Sequence, residues 1–102
     1  MITAEEARKL SKGNETMANT KKLAEKVLEA ISNEITACAT RAETKLLIRS
    51  NNDIYAMLYP TYEKECKDKI NASVLREMVE KELIINGFKF SQLTDDCILV
   101  FW

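Results

Sequence analysis

The side chains in this sequence with chemical potential are three cysteines, three closely spaced tyrosines and several neighbouring carboxylates. Cys38, Cys66 and Cys97 lie far apart, form no CxxC, and have no histidine to work with, because the chain contains none. That removes the commonest general base and the commonest metal ligand. Zinc sites built on closely spaced Cys/His pairs have no donors here. A nucleophilic thiol needs a base or a cationic setting, and the sequence identifies a partner for none of the three. The only glycines, Gly13 and Gly87, stand singly, so there is no glycine-rich phosphate loop. Glu5-Glu6, Asp95-Asp96 and Glu80/Glu82 are pairs of the kind that share acid–base work in glycosidases. They fall instead where helix caps, turns and solvated helix faces place carboxylates. The chain is therefore expected not to be an enzyme, and no catalytic, metal or cofactor-binding residue is assigned.

Tyr55, Tyr59 and Tyr62 recur at steps of four and three, which puts them near one face of a helix. Rigid amphipathic rings are favoured at binding surfaces. With Arg49, Lys64 and Lys67 close in sequence they could also stack nucleobases. Tyr55, Tyr59, Tyr62 and Arg49 are therefore the candidate partner-binding residues. The preferred reading is plainer: Pro60 interrupts the shared face, and the rings roof a core with their hydroxyls in water. Trp102 carries the same two readings, and core is again preferred.

The elements that must position these residues follow from periodicity. Thr3-Ala4-Glu5-Glu6 fits a capping box that opens a short helix over residues 1–14, with Gly13-Asn14 read as its stop. Ala24, Leu28, Ile31, Ile35, Cys38 and Ala42 then recur at helical spacing. Polar residues fill the opposite side, predicting a long amphipathic helix over residues 15–43. The stripe holds heptad spacing, so Leu28, Ile31, Ile35 and Cys38 are a candidate oligomer interface. Packing on the protein's own sheet is preferred, because Ala24 and Ala42 are weak coiled-coil knobs.

Residues 44–50 are short and apolar at the centre, which predicts a strand. Residues 54–70 read as two short helices broken at Pro60. Asn71 caps a further helix that ends at Asn86-Gly87. Residues 88–93 and 97–102 read as a hairpin across the polar loop Thr94-Asp95-Asp96. The last strand is apolar on both faces, which predicts a central or covered position. The fold class expected is α+β: a long N-terminal amphipathic helix and shorter helices packed on one face of a small, about three-stranded sheet with a C-terminal β-hairpin.

Length and composition set the outer bounds. The chain has 102 residues, expected to be a single domain over 1–102. Fifteen basic and sixteen acidic side chains give a net charge of −1, which disfavours a protein whose main task is gripping phosphate backbones. The first fifty residues hold nine basic and seven acidic groups, the rest six and nine. No apolar run reaches the roughly 18 residues needed to cross a bilayer, and Met1 leads straight into a charged segment. An odd, scattered cysteine set fits reduced thiols, so a cytoplasmic location and no membrane partner are expected.

Thr3, Ala4, Glu6, Ala7 and Arg8, the run from Leu46 to Ile48, Asn86-Gly87-Phe88 and the closing Ile98 to Trp102 resemble a group of small bacteriophage proteins. Those open with T-A-x-E-A-R and close with a strand ending in Trp. Members are mostly uncharacterised or virion-associated, and residues 55–69 depart from their layout as an insertion. The resemblance implies a viral origin and transfers no functional residue. The expectation is a non-enzymatic, phage-encoded interaction protein. It would be either a small virion component or an inhibitor of a host defence protein, acting in the host cytoplasm or the virion. A protein partner is expected, with a homo-oligomer possible. The alternative is a nucleic-acid or nucleotide-binding module.

Overall fold

The computed structural model describes the backbone of every residue except 64–66 and 68, and the side chains of all others apart from 9–13. Helix α1 runs unbroken over Ala4–Thr40. Thr3 is its N-cap, and its hydroxyl oxygen accepts the Glu6 N–H at 3.1 Å. This corrects the division into a short helix over 1–14 and a long one from 15. A glycine stops a helix by turning to positive φ. Gly87 does so, with φ 88, whereas at Gly13 the backbone stays helical. The end of α1 is built at Ala42, a non-glycine residue with φ 62. There the Glu43 N–H reaches the Cys38 carbonyl and the Ala42 N–H reaches that of Ala39, both at 2.9 Å.

Strand β1 (Lys45–Arg49) follows, then helix α2 (Asp53–Leu58), capped by the Asn52 side chain. Helix α2 stops two residues before Pro60, as the proline requires of its neighbours. The second short helix expected beyond Pro60 falls partly on residues outside those described. Helix α3 (Ala72–Ile85) has Asn71 as its N-cap, with Oδ1 accepting from the Val74 N–H at 3.2 Å. Strands β2 (Lys89–Thr94) and β3 (Cys97–Phe101) form the hairpin, turning on Asp95-Asp96 alone because Thr94 belongs to β2.

The sheet has the order β1-β3-β2 and is antiparallel throughout. The doubly apolar last strand is thus the central one. Its period of two splits the sheet into two unlike faces. Leu46, Ile48, Ile98 and Val100 turn inward and are buried with Ala24, Val27, Ile31 and Cys38 of α1. Ile54 and Leu58 of α2 and Leu75, Val79 and Leu83 of α3 complete the core. The protein is α+β, with the helices on one face of a three-stranded sheet. The other face of the sheet carries none of this core.

Candidate interaction surfaces

The tyrosine segment is a strut between α2 and the hairpin. The rings of Tyr55 and Tyr59 stack with centroids 4.8 Å apart, and both pack against the core. The Tyr55 hydroxyl donates to the Asp95 carbonyl, and that of Tyr59 meets Gln92 Oε1 at 3.3 Å. Arg76 of α3 lies 4.7 Å from the Tyr59 ring centre and donates to the Leu58 carbonyl at 3.0 Å. This cation–π contact and hydrogen bond tie α3 to the end of α2. Burial pushes the Tyr55 phenol above its usual range, with Tyr59 and the turn aspartates adding to it. Tyr62, beyond Pro60, is 79% exposed. The three rings therefore do not form one roof, and stacking and hydrogen bonds already occupy two of them. Lys64, named with them from sequence, lies outside the described residues.

The stripe on α1 divides in the same way. Ile31 and Cys38 are buried in the protein's own core, whereas Leu28 and Ile35 are only half-buried. The Cys38 thiol sits 3.6 Å from Arg41 Nη2, and Arg41 pairs with Glu43 at 3.4 Å. Burial, reinforced by Glu43, raises the thiol's pKa more than Arg41 lowers it. The group stays a thiol rather than becoming a nucleophilic thiolate. Glu43 itself is held below the usual carboxylate range, chiefly by Arg41. Cys97 is half-buried on the far face of the sheet, and Cys66 lies outside the described residues. Among the described residues no three His, Cys, Asp or Glu side chains gather as metal ligands would. No helix among them is long and apolar enough to cross a membrane.

Leu28 and Ile35 line a continuous apolar groove between α1 and α3. Its two hollows, about 500 and 600 Å³, share Leu28 and Glu82. Leu83 and Phe88 floor one end, and Met78 and Ile85 floor the other. Ile85 of that lining is 67% exposed, and Ile84 beside it 56%.

The second surface is the outer face of the sheet, where Arg49 sits. Across it run three rows: Lys45–Phe101–Lys89, Leu47–Leu99–Ser91, and Arg49–Cys97–Thr94. A bulge between Gln92 and Thr94 adds Leu93, which is 53% exposed. Lys89 Nζ lies 5.6 Å from the Phe101 ring centre. The three strands together hold three cations and no carboxylate, in a chain whose net charge is −1. Reading β1 and the hairpin separately from sequence missed this patch. The signal was present in the acid-free strand sequences KLLIR, KFSQLT and CILVF, but only strand order makes them neighbours.

No protein-family model matches the chain, and no curated protein or solved structure shows significant similarity to it.

Proposed function

We propose that this is a non-enzymatic interaction protein whose binding surface is the outer face of the sheet. The observation that carries the reading is the outer face itself: Leu47, Leu99 and Phe101 at its centre, with Lys45, Arg49 and Lys89 on the same three strands, which hold no carboxylate, and Asp96 of the turn beside Arg49. Apolar side chains flanked by cations on all three strands suit a protein partner with an apolar centre and acidic groups at its rim. The raised pKa of the Cys38 thiol and the occupied hydroxyls of Tyr55 and Tyr59 support binding rather than catalysis. The resemblance to small bacteriophage proteins supplies the setting. In it, the chain is phage-encoded and acts as a small virion component or as an inhibitor bound to a host defence protein in the host cytoplasm.

The test is a pull-down from infected host cells with the tagged chain and with a variant carrying Lys45→Glu, Arg49→Glu and Lys89→Glu. The partner should be captured by the parent chain and lost from the variant, whose circular dichroism should be unchanged. Equal capture by both would refute the sheet face as the site. The same three cations could hold single-stranded nucleic acid instead. Affinity for an oligo-dT probe that falls steeply with salt would replace the protein reading with that one.

A further inference from the structure

The order β1-β3-β2 leaves β1 and β2 as the two edges of the sheet. The ladder to β3 fixes which backbone groups of β1 stay open. The Trp102 N–H donates to the Thr44 carbonyl at 3.0 Å, one step beyond the pair Lys45–Phe101. Bonded pairs alternate with unbonded ones in an antiparallel ladder, so Leu46 and Ile48 also aim their backbone groups at β3. Those of Lys45, Leu47 and Arg49 point away, to the open edge. Of these, only the Arg49 carbonyl is taken among the described residues, by the Asn52 N–H at 2.9 Å.

The same three residues carry their side chains on the outer face. Lys45 and Arg49 are exposed, and Leu47 between them is 37% exposed. Among the described residues neither cation forms an ion pair. Glu43 stands near Lys45 but pairs with Arg41, and Asp96 lines a hollow with Arg49. Strand β1 thus offers open hydrogen bonds and a cation–apolar–cation row along one line. The other edge is a poorer template: β2 is bulged between Gln92 and Thr94, a device that natural edges use against pairing. A second copy does not suit β1 either. Two β1 strands paired antiparallel in full register would set Lys45 opposite Arg49 twice, and like charges so placed destabilise a sheet.

We propose that the partner adds a strand antiparallel to β1, with acidic side chains opposite Lys45 and Arg49 and an apolar one opposite Leu47. The inference rests on the outer face being the binding surface, and it gives the partner's segment the pattern acidic–x–apolar–x–acidic. Antiparallel pairing continues a sheet whose two existing ladders are both antiparallel. It also aims the partner's N–H and C=O groups at those three positions towards β1. Backbone bonds give such a strand its affinity, and alternate side chains give it specificity.

The probe is a capped peptide of sequence TETVTET, titrated to about 2 mM into the full isotope-labelled chain. The amide signals of Lys45, Leu47 and Arg49 should shift. Those of Leu46 and Ile48, already bonded to β3, should shift less. Methylating the valine nitrogen removes a donor aimed at β1 and should weaken binding about tenfold. Methylating the nitrogen of the threonine before it, aimed away, should change binding little. Lys45→Glu with Arg49→Glu should also cost about tenfold, and a peptide with lysine for both glutamates should bind that double variant better than the parent. Lys89→Glu, about 10 Å from β1 across the sheet, should leave the affinity unchanged. No shift in β1, or equal affinity of the two methylated peptides, would overturn strand addition. Shifts confined to Lys89, Leu99 and Phe101 would overturn it while leaving the outer face as the binding surface. The charge-reversal pull-down reports on the whole face and the methylated pair on its edge alone, so the two failures are distinct.

Discussion

Thr20 is the buried polar side chain among the described residues, fully shielded from solvent. Its hydroxyl donates to the Thr16 carbonyl at 2.7 Å and accepts the Asn71 N–H at 2.9 Å. It therefore joins α1 to the residue that caps α3. Thr20→Val keeps the shape but leaves the Asn71 N–H without its acceptor. It should destabilise the protein by about 1–2 kcal/mol, read from urea unfolding at fixed protein concentration. Thr20→Ser keeps the bond and loses one methyl, so about 0.8 kcal/mol is expected. A valine variant as stable as the parent would show that the bond is idle. Asn71 was legible in sequence as a helix cap, because capping is local. Thr20 was not, because its partner lies 51 residues away and threonine adds nothing to an apolar stripe. Tyr55 and Tyr59 followed the same rule: their spacing was visible, but their bonds to the hairpin depend on long-range packing.

At the scale of elements, α1 and α3 end in the same motif with different residues. In α3 the Phe88 N–H reaches the Leu83 carbonyl at 2.9 Å and the Gly87 N–H that of Ile84 at 3.0 Å. Glu43 and Ala42 make the equivalent bonds at the end of α1. Both are Schellman closures, and both need a left-handed residue, which is Gly87 in one and Ala42 in the other. Ala42→Gly should stabilise the fold by about 0.5–1 kcal/mol, after the extra freedom of unfolded glycine is subtracted. Gly87→Ala should cost about 1–2 kcal/mol from its φ alone, since a Cβ there meets nothing within 4 Å. Thermal unfolding of the two variants should move in opposite directions, and a shift of the same sign in both would refute the argument. Gly13 misleads for the reason Gly87 informs. Glycine permits a left-handed turn without requiring one, and at Gly13 the backbone stays helical. The strands were easier, because the period-two pattern and the Asp95-Asp96 turn are properties of adjacent residues.

For the whole molecule, strand order decides what remains exposed. Placing the most apolar strand in the middle buries Ile98 and Val100 on one side. On the other side it leaves Phe101 between Lys45 and Lys89, and Leu99 between Leu47 and Ser91. The α+β class was legible from the chain because it needs only the list of elements. The open face was not, because it depends on which side of the sheet the helices cover.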